Sequence, residues 1–165
     1  MVDAKHQAWP IADKREALHA ARTAVTAVAS LLLARLLRLP EAYWAAITSM
    51  IVMQSTLGAA WTVSKQRLAG TAVGAILGAL LATYAGSNWA VFGASVFLAG
   101  MVCTALHMGR NAFRYSGITL VVVMLVARNL PMWEIAAHRF VEISLGIAVG
   151  LAITAAWPET TLAES

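Results

Sequence analysis

The chain has 165 residues, of which 60% are apolar and 12% charged, with a net charge of +4 and a mean hydropathy of +0.72. A soluble domain carries about 25% charged residues, so the composition excludes an ordinary water-soluble domain and predicts a single membrane-embedded one. The cations sit at the ends of apolar runs rather than along one face, which excludes a nucleic-acid-binding patch and fits a protein that sets its orientation by charge.

In chain order, residues 1–16 are polar and read as a cytoplasmic N-terminal segment that begins a helix on the membrane surface. The first apolar run, Thr23 to Ala34, leads into Arg35-Leu-Leu-Arg38-Leu-Pro40, a poor cleavage site, so it is expected to stay as a membrane helix. Residues 17–157 read as a six-helix transmembrane domain. Its spans are predicted at about 17–39, 42–57, 68–86, 89–107, 114–130 and 135–157, the second barely long enough for a bilayer that takes about 20 residues. Pro40 and Pro131 open the second and sixth helices, Gly86-Ser87-Asn88 makes a tight turn, and Pro158 stops the last helix. Residues 158–165 form a short acidic cytoplasmic tail.

With the N-terminus inside, Lys5, Lys14, Arg15, Arg22, Lys65, Arg67, Arg110 and Arg114 face the cytoplasm, against Arg35, Arg38, Arg128 and Arg139 outside. This asymmetry predicts that both termini are cytoplasmic. Trp44, Trp89, Trp133, Tyr43 and Tyr84 then form an outer aromatic belt, and Trp61, Trp157 and Tyr115 an inner one. Cys103 stands alone in an apolar run and has no disulfide partner in the chain. The four histidines lack metal-ligand spacing.

Two passages resemble each other. Ile47-Thr48…Met53…Arg67-x6-Gly74-x3-Gly78 matches Ile118-Thr119…Met124…Arg139-x6-Gly146-x3-Gly150, at an offset of 71 up to the methionine (124 − 53) and 72 from the arginine (139 − 67). The unit is three helices, an odd number, so the expected fold is all-α with two inverted three-helix repeats, a pattern of secondary transporters.

The runs Ala21-Arg22-Thr-Ala-Val-Thr-Ala-Val-Ala, Leu39-Pro-Glu-Ala-Tyr43-Trp44-Ala-Ala-Ile-Thr48, Val52-Met-Gln54-Ser55 and Gln66-Arg67-Leu-Ala-Gly70-Thr71-Ala-Val-Gly74, with the closing Arg139-Phe-Val-Glu142-Ile-Ser-Leu-Gly146…Trp157-Pro158, resemble the fusaric acid resistance (FUSC), or aromatic acid exporter, family. The resemblance implies a bacterial inner-membrane protein that exports small organic anions, typically aromatic carboxylates. Larger members carry two such modules and a cytoplasmic domain, and plant malate channels share the six-helix module. The single module here leads us to expect a homodimer whose partners are lipid and a small organic anion, with no cofactor and no nucleic acid.

Charges inside a span cost about 2.5–3.5 kcal/mol on insertion scales, so each needs a cavity or a partner. Arg22 shares a face with His19, Thr26 and Ser30, as a hydrated path or as a snorkelling cation. Arg67 and Arg139 begin the third and sixth helices, expected at opposite membrane faces, and serve either as carboxylate forks or as interfacial anchors. Arg110 and Arg114, like Arg35 and Arg38, read as topology determinants. Thr48 and Ser55 share a face of the short second helix, whose polar end, Gln54-Ser55-Thr56, could meet a substrate at mid-depth. These give the candidate substrate-binding set Arg22, Thr48, Gln54, Ser55, Arg67 and Arg139. Glu142 is the acid deep in a span. It pairs within its helix with Arg139 or His138, or it couples transport to protons, since a carboxyl in a low-dielectric site can exchange a proton near neutral pH. Gly70, Gly74, Gly78, Gly146 and Gly150 are helix-packing positions, expected to join the third helix to the sixth or one protomer to another.

The function expected is proton-driven export. The alternatives are a passive organic-anion channel and a non-transporting membrane subunit. No nucleophile–base pair, metal constellation or phosphate loop points to an enzyme.

Overall fold

A computed structural model describes residues 14–54, 56–126 and 130–157. The described residues form six α-helices and no strand: α1 Lys14–Leu36, α2 Tyr43–Val52, α3 Leu57–Tyr84, α4 Trp89–Ala105, α5 Gly109–Leu125 and α6 Met132–Ala156. The expected surface segment and acidic tail lie outside the described residues, apart from the first turn of α1.

The bundle has an interior unlike that of a soluble protein. Small and hydroxyl-bearing side chains such as Ala34, Ala45, Ser49, Ala60, Thr71, Ala79, Ala99 and Ser116 are buried, while Val28, Leu32, Ile76, Phe97, Met101 and Val121 face outward. Small residues let helix backbones approach closely where no water drives association, and large aliphatics suit lipid. Helices α1, α3 and α6 are long and apolar enough to cross a membrane.

The second span is not as expected. Helix α2 has 10 residues, about 15 Å of helix, and cannot cross a hydrocarbon core alone. It stops because Met53 is extended and because Thr56 caps α3, its side chain accepting from the amide of Ala59 at 3.3 Å. Helix α3 therefore starts at Leu57, eleven residues before the expected 68 (68 − 57), and has 28 residues. Helix α5 likewise begins five residues early, at Gly109 rather than 114.

Helices α1 and α4 end alike. Leu39 N donates to Ala34 O at 3.0 Å and Met108 N to Cys103 O at 3.0 Å, with Arg38 (φ 55°) and His107 (φ 52°) in the left-handed region. Both are Schellman-type endings.

The glycines determine which helices touch. A Cβ at Gly70 would collide with the Ala112 carbonyl and one at Gly74 with the Ser116 carbonyl, and one at Gly78 would press on Val123, so the series packs α3 along α5 in parallel. Gly146 meets Ala45 and Thr48, and Gly150 meets Val52, so α6 packs along α2, again in parallel. The expected pairing of α3 with α6 through glycine is thus corrected. The two interfaces match residue for residue at the sequence offset: Ser116 and Ala45 differ by 71, Thr119 and Thr48 by 71, Val123 and Val52 by 71. Helices α3 and α6 do meet, antiparallel, through other residues. Ala75 and Ala79 pack with Ile135 and Ala136, and Ala60 packs with Ile143 and Ile147.

Candidate functional site: two buried arginines at a helix crossing

The antiparallel α3–α6 contact brings Arg67 and Arg139 to the same level, and the charge of Arg139 acts on Arg67. Both are about 2% exposed. Arg67 lies 17 residues before the end of α3 (84 − 67), and Arg139 lies 17 before the end of α6 (156 − 139). That is about 25 Å of helix in each case, in opposite directions. The two guanidiniums therefore occupy the middle of the bundle. The expectation that they mark opposite faces fails because a charge need not end a helix; α3 runs for ten residues before Arg67 (67 − 57).

Each arginine lies over an aromatic ring from the neighbouring helix pair. The Arg67 guanidinium carbon is 4.9 Å from the Tyr115 ring centre, and that of Arg139 is 4.1 Å from the Trp44 ring centre. Cation–π contact contributes about 2 kcal/mol or more where water is excluded. Tyr115 and Trp44 are also 71 residues apart, so the two stacks occupy matching positions.

Their polar partners differ. Arg67 donates through Nε and Nη2 to Oγ1 of Thr48, at 3.2 and 3.1 Å. Arg139 pairs with Glu41 and lies 3.6 Å from Glu142, which is 1% exposed. The Glu142 carboxylate in turn accepts from the backbone amide of Glu41 at 2.8 Å. Glu41 belongs to the short segment between α1 and α2, so one carboxylate comes from each side of Arg139. Trp44 Nε1 is buried, with no hydrogen-bond partner among the described residues.

Of the predicted binding residues, the structure gathers Thr48, Arg67 and Arg139, and it places Glu142, the predicted proton-coupling group, against Arg139. Arg22 is fully buried on a different interface, in line with Thr26 and Ser30, where Ser49 of α2 reaches the Thr26 carbonyl at 3.5 Å. Gln54 turns its amide back to the Ile51 carbonyl at 3.2 Å. Ser55 lies outside the described residues. Arg35, Arg38, Arg110 and Arg114 are exposed. Three residues of the site were not singled out from sequence as ligands: Glu41, Trp44 and Tyr115. The sequence places Trp44 and Tyr115 in the belts, whereas the structure sets them against the arginines; Tyr84, Trp89, Trp61 and Trp133 do point outward. The shared offset of 71 was the available signal.

The model of the fusaric acid resistance protein-like family matches residues 27–153. The chain belongs to that family. The matched region contains Glu41, Trp44, Thr48, Arg67, Tyr115, Arg139 and Glu142, while Arg22 falls before it. Among curated relatives, the chain is similar to the uncharacterized transporter YdhK of Escherichia coli K12, 29% identical over 141 residues covering 80% of this chain and 21% of the relative. YdhK of Salmonella typhimurium LT2 is 26% identical over 162 residues, 93% of this chain and 24% of the relative. The inner membrane protein YeeA of E. coli K12 is 25% identical over 146 residues, 86% of this chain and 41% of the relative. The chain thus spans about a fifth to two fifths of the length of these relatives. No solved structure matches it. Family membership and the long apolar helices together make this a multi-pass membrane protein.

Proposed function

We propose that this family member exports small organic anions, aromatic carboxylates above all, across the bacterial cytoplasmic membrane, with both termini cytoplasmic and with proton coupling through Glu142. The observation that carries the reading is the pair of buried guanidiniums at the α3–α6 crossing, each over an aromatic ring. A guanidinium fork offers a carboxylate two parallel charge-assisted bonds. A neighbouring ring face suits a planar aromatic body, and edge or offset stacking contributes about 0.5–1.5 kcal/mol beyond area burial.

The position of the arginines supports the same reading. A site at the middle of two crossing helices, with matching interfaces on either side, is where an inverted-repeat transporter holds its substrate. The names of the curated relatives, two of them transporters, point the same way. The matching ring at each arginine, Tyr115 at Arg67 and Trp44 at Arg139, supports an alternating-access reading of the two halves.

The test is flux in proteoliposomes across a panel of benzoate, 4-hydroxybenzoate and malate, with and without an imposed pH gradient. Wild-type protein moves the aromatic anions against their gradient when a pH gradient is imposed. Arg67→Lys and Arg139→Lys lose tenfold or more, about 1.4 kcal/mol, because a point charge does not replace a fork. No flux above protein-free vesicles for any member of the panel overturns the reading, and flux indifferent to the pH gradient turns it into a passive channel.

A further inference from the structure

The two stacks match in arginine and ring but not in acid. Glu142 stands where the matched interface has Gly70 (142 − 70 = 72), and Glu41 where it has Ala112 (112 − 41 = 71). On the α3–α5 side those positions bring backbone against backbone. On the α2–α6 side they carry two carboxylates that share Arg139. Arg67, by contrast, is held by the neutral hydroxyl of Thr48.

A carboxylate buried without a cation is costly, and two side by side are more so. Arg139 between them is what permits both charges to sit in the bundle. Among the described residues, an incoming organic carboxylate meets only the hydroxyls of Thr48 and Tyr115 as competitors for a charge-assisted bond from Arg67. At Arg139 it meets groups of its own chemistry already in place.

We propose that Glu41 and Glu142 form a carboxylate latch on Arg139, occupying the place an organic carboxylate takes, and that a proton taken up by the pair opens it. The proposal rests on the export reading and adds Glu41, with a stated role for the pair. The step is simple in its balance. A proton adds to a carboxylate oxygen, no other covalent bond changes, and the negative charge lost from the pair is replaced at Arg139 by that of the incoming anion. When the proton leaves, the carboxylate returns to Arg139 and the anion is expelled. The charged groups facing the pair among the described residues are Arg139 and His138 on α6, with Arg67 on α3 acting on Arg139. The Trp44 indole N–H, buried beside Arg139 without an acceptor among the described residues, supplies a donor for the anion's second oxygen.

The experiment is infrared difference titration of the whole protein in lipid, with chloride as the sole anion and then with benzoate. Lowering the pH from about 8 to 5 brings up a protonated-carboxyl band in wild type. Adding benzoate at fixed pH raises that band, because linkage makes anion binding and proton binding mutually favourable. Glu41→Gln and Glu142→Gln each diminish the band and the benzoate response, Glu142→Asp restores both, and exposed Glu134→Gln leaves both unchanged. In vesicles, the flux of wild type falls with rising pH by up to roughly tenfold per unit, as occupancy by a single proton does; that of either Gln variant changes less than about twofold. A benzoate response untouched by both Gln variants, or a band that ignores benzoate, overturns the latch even if transport is intact. A latch signal of the expected form in a protein that passes none of the panel anions overturns the export reading and leaves the latch as an anion-linked proton site.

Discussion

The Arg67 guanidinium is held by Thr48, whose single hydroxyl oxygen accepts from both Nε and Nη2 at 3.2 and 3.1 Å. Thr119, at the matching position of the other half, turns its hydroxyl to the Tyr115 carbonyl of its own helix at 3.1 Å. The same residue type therefore does different work in the two halves. Thr48→Val keeps the shape of the side chain and removes the acceptor for a buried charge, which costs about 1–3 kcal/mol. Thr119→Val removes only a local bond that bends back on its helix and costs less than about 1 kcal/mol. Thermal midpoints of the two purified variants in one detergent check the contrast. Equal losses would mean that Arg67 does not depend on Thr48.

Gly74 and Gly146 allow helix backbones to touch, and their neighbours forbid a side chain. An added Cβ at Gly74 collides with the Ser116 carbonyl, and one at Gly146 with that of Ala45, both backbone atoms with no rotamer to yield. Gly74→Ala and Gly146→Ala each lose about 1–3 kcal/mol, the usual cost of overpacking. Gly93→Ala and Gly117→Ala meet nothing within 4 Å and, both within helices, gain up to about 1 kcal/mol from improved propensity. Melting curves of the four variants decide it by sign.

Much of this was legible in the sequence, for identifiable reasons. Arg67, Arg139, Glu142 and Thr48 stand out because a charge or hydroxyl within an apolar run must be satisfied by a partner. The glycine spacing announced close packing but not the partner helix, since a small residue looks the same whichever backbone approaches it. The extent of α2 was hidden because the run stays apolar through Met53, and only the backbone shows that the chain straightens there. Trp44 and Tyr115 were misplaced because an aromatic ring with a polar atom suits headgroup depth and a cation in the interior equally well. Glu41 sits beside Pro40 and reads as part of a turn; that it reaches Arg139 depends on how α1, α2 and α6 pack, which no local pattern encodes.

The orientation proposed from the cation count has a direct check. With Cys103 replaced by Ser, single cysteines are placed at exposed Ser87, between α3 and α4, and at exposed Arg110, at the start of α5. In intact cells a membrane-impermeant maleimide labels the Ser87→Cys protein and spares the Arg110→Cys protein, and in inverted vesicles the pattern reverses. That is the outcome for cytoplasmic termini and an odd number of crossings between the N-terminus and Ser87. Labelling of both from one side would remove α4 from the set of membrane-crossing helices.

Trp44 separates the contribution of the ring from that of its N–H. Its ring lies 4.1 Å from the Arg139 guanidinium carbon, and its Nε1 is buried with no acceptor among the described residues. Trp44→Phe keeps a weaker π face and removes the donor; Trp44→Leu removes both. If the ring forms part of the surface on which an aromatic anion stacks, the preference for benzoate over malate survives largely in the Phe variant. It falls about five- to tenfold in the Leu variant, the worth of roughly 1–1.4 kcal/mol of stacking. Tyr115→Phe, at the other stack, keeps the preference because no face is lost there, and Tyr115→Leu lowers it as Trp44→Leu does. Competition assays with the two anions measure the ratio independently of how much folded protein each preparation contains. A ratio unchanged in both Leu variants would assign the rings to holding the arginines alone, and selectivity would have to come from elsewhere in the bundle.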